Sequence, residues 1–150
     1  MSETARLADE IRRSYVGPAW HGSSLTELLT GIDAAAAVQR PPGGVHSLCE
    51  IVMHLSAWQR VAHDAIHGKA APELPFEGDW RASSDWAAAL QELDDTAREL
   101  CAAVAALPDA RLCDKVEGRE YSLYVLLHGI AQHNAYHGGQ ISLLRKALGL

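Results

Sequence analysis

Eight of the 150 residues are histidine, and two pairs, His63/His67 and His133/His137, have the i, i+4 spacing. On a helix, at about 100° per residue, that spacing sets two imidazoles on one face, close enough to share a metal ion. Spacing alone does not choose between the pairs, but the apolar residues around them do. Leu123, Leu126, Leu127, Ile130, Ile141, Leu144 and Leu148 define a core-facing arc of a helix over about 121–148. His137 falls near the centre of that arc and His133 within roughly 40° of it, whereas His128 falls roughly opposite. On a second helix, over about 46–67, the arc is drawn by Leu48, Ile51, Val52, Leu55, Trp58, Val61 and Ile66. His54 lies inside it, roughly 60° from its centre, while His63 and His67 lie roughly 120–160° away. They occupy the last turns before Gly68, where polar or cationic side chains suit the helix dipole.

Three histidines therefore point inward: His54, His133 and His137. Neutral imidazoles suit Zn²⁺ or Ni²⁺, and three protein ligands leave a position for water or substrate, as catalytic metal sites do. The competing reading is three core histidines hydrogen-bonded to backbone, Ser or Asn, since a buried imidazole must be satisfied. The segment is not a zincin, because His133-Asn-Ala-Tyr-His137 has Asn where His-Glu-x-x-His has its general base. It is not a ferritin-like di-iron site either, which needs Glu-x-x-His pairs and further inward Glu residues. Trp20, Trp58, Tyr136 and Arg145 are candidates for lining a pocket, with Trp58 one turn from His54. Glu50 is also one turn from His54, but a capping role accounts for it. Gly138-Gly139 interrupts a helical run at about 1 kcal/mol each relative to Ala, which suggests close approach of another backbone, room beside His137, or a kink. Cys49, Cys101 and Cys113 form no Cys-x-x-Cys pair and read as free, reduced thiols.

The elements that must carry these residues are helices. Ala, Leu, Glu and Arg dominate, and no segment has the texture of a strand. Four long helices are expected, over about 2–15, 46–67, 83–107 and 121–148, with a short one at 24–32 and a further helical run at Ala34–Ala37. Ser47 to Glu50 and Ser24 to Glu27 are capping-box patterns. Pro72, Pro75 and Gly78 make 68–82 a long loop, so the fold class is all-α, a four-helix bundle with long connections. The length suits a single domain over 1–150. Thirteen Lys+Arg against nineteen Asp+Glu leave a charge of −6, which argues against a nucleic-acid partner. No apolar run approaches the roughly 18 residues of a membrane span, and Met-Ser-Glu-Thr-Ala-Arg does not resemble a signal peptide. A cytoplasmic protein is the expectation.

Two stretches resemble a known family. Gly44-Val-His-Ser-Leu-Cys-Glu-Ile-Val-Met-His54-Leu-Ser-Ala-Trp58 is similar to the Ser-x-x-Glu-x-x-x-His-Leu segment of the DinB/YfiT-like superfamily of bacterial four-helix proteins. His128-Gly-Ile-Ala-Gln-His133-Asn-Ala-Tyr-His137-Gly-Gly-Gln140-Ile is similar to its C-terminal His-x-x-x-His-x-Gly-Gln-Ile segment. Their order and separation fit across essentially the whole chain. The resemblance implies an up-down-down-up bundle, frequent homodimers, and a divalent metal, often zinc or nickel, held by His54, His133 and His137. It also implies thiol-dependent S-transferase, isomerase or hydrolase chemistry on a small-molecule substrate, with a low-molecular-weight thiol as one candidate cosubstrate. The alternative is a non-catalytic, metal-stabilised dimeric bundle with a structural, sensing or interaction role.

Overall fold

The computed structural model describes residues 1–41, 43, 46–73, 76, 78–81 and 83–150. Among the described residues the regular elements are helices and there is no strand. The elements are α1 (Glu3–Val16), α2 (Leu25–Leu29), α3 (Ala34–Ala37), α4 (Leu48–Ile66), α5 (Trp86–Ala106), a 3₁₀ turn (Asp109–Cys113) and α6 (Leu123–Leu148). The four long helices pack as a cycle in which α1 and α4 each touch both α5 and α6. None is long and apolar enough to cross a membrane.

Caps explain where the helices begin. Ser47 Oγ accepts from the Glu50 amide at 3.2 Å while the Glu50 carboxylate accepts from the Ser47 amide at 2.8 Å, so α4 starts at Leu48. Ser24 and Glu27 make the same reciprocal pair for α2. Each box satisfies two of the amides that a helix start leaves unpaired. Asp85 caps α5, accepting from the Ala88 amide at 2.9 Å. The expected helix over 24–32 stops at Leu29, because Thr30 is extended and Gly31 turns with φ +78°. The turn at Asp109–Cys113 was not expected. There the Asp109 carboxylate accepts from the Glu3 and Thr4 amides at 2.9 and 3.0 Å, capping α1 from the far end of the chain.

The core has two parts. Leu25, Leu29, Ile51, Leu55, Trp86, Leu93 and Ile141 belong to one, at the α2 and α3 end. Leu7, Ile11, Ala62, Leu100, Val104, Leu127 and Ile130 belong to the other. Full burial of a Leu or Ile side chain stabilises by about 1.5–3 kcal/mol, so these two clusters hold the helices together. Along both α4 and α6 the change from one cluster to the other falls around the inward histidines. No neighbouring backbone lies close to Gly138-Gly139. Helix α6 runs through it, the Leu25 and Leu28 side chains of α2 pack over Gly138, and Gly139 faces open space.

Candidate metal centre

Helix α4 delivers His54, and α6 delivers His133 and His137 one turn apart. His54 Nε2 and His137 Nε2 each lie 3.0 Å from His133 Nε2. One nitrogen from each ring falls within 4.8 Å of the others. The rear nitrogens are held by acceptors, so the protonation pattern follows. His54 Nδ1–H donates to Asp79, whose backbone oxygen is at 2.9 Å and whose Oδ1 is at 2.8 Å. His137 Nδ1–H donates to Gln140 Oε1 at 2.7 Å. With their protons on Nδ1, both rings present bare Nε2 lone pairs to the same small space.

Burial keeps these rings neutral. It pushes His133 down to about 3, with the neighbouring His137 and His54 adding to the effect. It pushes His137 down to about 4 against the opposing Gln140 bond. His54 is also lowered by burial, although Asp79 pulls the other way. Three neutral imidazoles with converging lone pairs and at most one shared proton make a poor hydrogen-bond set and a good cation site. Metal–nitrogen bonds of about 2.1 Å at tetrahedral angles place ligand nitrogens about 3.4 Å apart, so the two 3.0 Å separations need to widen by only a few tenths of an ångström. These residues fit a divalent cation.

Asp79 and Trp80, from the connection between α4 and α5, pack against the site. Asp79 Oδ1 also accepts from Trp58 Nε1–H at 3.0 Å, so one carboxylate ties the loop to two side chains of α4. Trp80 stacks between His54 (centroids 3.9 Å apart, planes at 6°) and His46 (3.6 Å, 9°). Behind them the Glu50 carboxylate is buried. Burial raises its pKa, but the Ser47 amide and hydroxyl and the Arg40 guanidinium outweigh this and hold it below the usual range. Beside His54 and His133 a pocket of about 580 Å³ opens between α4, α6 and Asp79. That volume is within the roughly 300–1,000 Å³ of small-molecule sites.

A model of the DinB superfamily matches residues 19–141. The chain belongs to the DinB superfamily. The match spans all three inward histidines. Neither the curated proteins nor the solved structures yield a match to this chain.

The other histidines of this DinB-superfamily chain stay apart. His63 and His67 lie on the outer side of α4, and His67 Nδ1 donates to the His63 carbonyl at 2.8 Å. His128 is half-buried and sits 3.1 Å from Glu10 of α1, so it faces a neighbouring helix edge rather than open solvent. Of the four side chains considered as pocket walls, Trp58 alone lines the space beside the histidines. Trp20 and Tyr136 are exposed, although Tyr136 lies edge-on to His137. Arg145 caps the end of α2 by donating to the carbonyls of Leu28 and Thr30. Asp79, Trp80 and Gln140 were missed. Gln140, at i+3 from His137, could have been found from spacing. Asp79 and Trp80 lie in an irregular loop, where no periodicity tells which way a side chain points.

Proposed function

We propose that this chain is a metal-dependent enzyme that binds a divalent cation, zinc or nickel, through His54, His133 and His137. One coordination position stays open for a small-molecule substrate in S-transfer or hydrolysis. The observation that carries this reading is the convergence of the three Nε2 atoms while Asp79 and Gln140 hold the rear nitrogens of two of the rings. A cation held by three neutral imidazoles supplies electrophilic polarisation and makes water or a thiol a stronger nucleophile near neutral pH. The chain's own residues orient the ligands through Asp79 and Gln140, stack Trp80 on His54, and leave the space beside His54 and His133 open. The cycle of contacts among α1, α5, α4 and α6 supports the up-down-down-up bundle that the family resemblance implies.

Metal analysis of protein purified without chelators tests the core of this proposal. His137→Ala abolishes zinc or nickel uptake, and His63→Ala leaves it unchanged. Wild-type protein that takes up neither metal refutes it. A panel of glutathione, mycothiol and bacillithiol with an electrophile then separates S-transfer from hydrolysis.

A second reading, a metal-stabilised dimer without catalysis, draws on α6. No residue from Leu123 to Leu144 is Asp, Glu, Lys or Arg, and Val125, Tyr136 and Leu143 are exposed on it. Such a face favours a second copy of the chain. Light scattering reports the oligomeric state, and melts with and without metal separate the readings. A stable metal-free fold favours the enzyme, and collapse on chelation favours the structural role.

A further inference from the structure

The pocket beside the histidines has a sharp division of character. His54, His133 and Asp79 sit together at one end, joined by hydrogen bonds through His54, and the Tyr121 phenol is the other polar side chain of the lining. The rest of the wall is Trp58, Tyr121, Val125, Leu126, Gly129 and Ile130. No Lys or Arg lines it among the described residues, and the seven residues outside that set (Pro42, Gly44, Val45, Leu74, Pro75, Glu77 and Ala82) include no cation. An anionic tail placed there would lose its hydration without finding a partner, and Asp79 would repel it. A hydrophobic tail would gain about 0.8 kcal/mol for each methylene that it buries, close to fourfold in affinity.

Gly129 adds a second observation. It stands one turn before His133 on the pocket face of α6, and a Cβ built there meets nothing within 4 Å. Gly in a helix interior costs about 1 kcal/mol relative to Ala, and here no tight packing requires it. Its effect is to keep open the strip of wall directly beside the metal ligands.

We infer that this pocket binds the uncharged, apolar tail of a substrate whose head group reaches the metal position. The substrate class is therefore a neutral alkyl or aryl compound with one metal-binding or polar end. A thiol that carries two carboxylates, such as glutathione, does not fit the wall. This rests on the metal reading proposed above, and it narrows that reading to a chemical class.

The test uses zinc-loaded full-length protein and hydroxamates as probes, because a hydroxamate binds zinc with its head and leaves its tail free. Zinc uptake is measured first with a chromophoric chelator. Acetohydroxamate, butanohydroxamate, hexanohydroxamate and adipic acid monohydroxamate are then titrated by calorimetry and by Trp fluorescence. Affinity rises about two- to fourfold per methylene along the alkyl series. Adipic acid monohydroxamate, with the same chain length and a terminal carboxylate, binds at least tenfold more weakly than hexanohydroxamate. Gly129→Leu flattens the series while zinc uptake stays unchanged, and Gly129→Ala, the folding control, keeps most of it. A flat alkyl series, or equal binding of the two six-carbon probes, with zinc bound normally, overturns this inference alone. Failure of both zinc and nickel to bind overturns the metal reading and this inference with it; where nickel alone binds, the same series is run on nickel-loaded protein.

Discussion

Replacing Asp79 separates orientation of a ligand from ligation itself. Its side chain lies 2.8 Å from His54 Nδ1 and 3.0 Å from Trp58 Nε1, and its backbone oxygen lies 2.9 Å from the same His54 nitrogen. The His54 and Asp79 side chains are 7% and 14% exposed, so solvent screens this pair little. Carboxylates behind a metal-bound imidazole raise its basicity and fix its ring, and losing one costs about 10- to 100-fold in metal affinity. In Asp79→Ala the backbone carbonyl still accepts from Nδ1–H and still enforces the tautomer. The expected loss therefore falls at the low end, about tenfold, or ~1.4 kcal/mol. Asp79→Asn keeps an acceptor but removes the charge, and loses less than Asp79→Ala. Trp58→Phe keeps the ring and removes only the N–H that steadies the carboxylate, so its effect is smaller still. Competition titrations against a chromophoric chelator measure all three. Unchanged zinc affinity in Asp79→Ala would refute the reasoning. A thousandfold loss would refute it in the other direction, by making Asp79 a ligand.

Three further outcomes follow from the same structure. His133 and His137 hold pKa values of about 3 and about 4 in the fold against 6.5 when unfolded, so the unfolded chain binds more protons below pH 6.5. The Tm of metal-free protein is therefore level above about pH 6.5 and falls from there toward pH 5, where carboxylates are still ionised. A flat profile, or one that persists in a His133→Phe/His137→Leu double variant, contradicts the assignment. Gly139→Ala, in open space on the surface of α6, raises stability by about 0.5–1 kcal/mol in urea titrations, and destabilisation would reveal a contact at that position. Ellman's reagent labels exposed Cys113 quickly in native protein, whereas Cys49, whose thiol burial raises, reacts only on unfolding. Rapid labelling of Cys49 would mean that α4 opens around it.

The sequence carried the α4 and α6 portion of the site because a helix converts spacing into direction. The angles that placed His54, His133 and His137 on the inner face needed only the 3.6-residue period and the neighbouring Leu and Ile residues. Helix ends were readable to within three residues wherever a capping pattern was local, as at Ser47 and Ser24. The cap of α1 was not, because half of it is Asp109, more than a hundred residues away. The loop half of the site was hidden for the same reason. Asp79 and Trp80 take their directions from Trp58, His54 and His46, so their places depend on tertiary contacts that no local pattern encodes.

That division has a physical consequence. On α6, His133 and His137 lie between the two apolar clusters, after Ala131 and before Ile141, while on α4 His54 is flanked by Met53 and Leu55 of the first cluster, just before the change to Ala62 of the second. Packing on both sides fixes the two backbones whether or not the rings hold anything. None of the loop's described residues is a buried member of either cluster. The loop is anchored by Asp79 and Trp80 on the site itself, by the ion pair of Arg81 with Glu92, and by the Ala71 amide donating to the Glu117 carbonyl at 2.9 Å. Substitutions in the clusters should therefore lower stability without changing relative affinities. Substitutions at Asp79 or Trp80 should change metal and tail binding while the melt of the helices stays put.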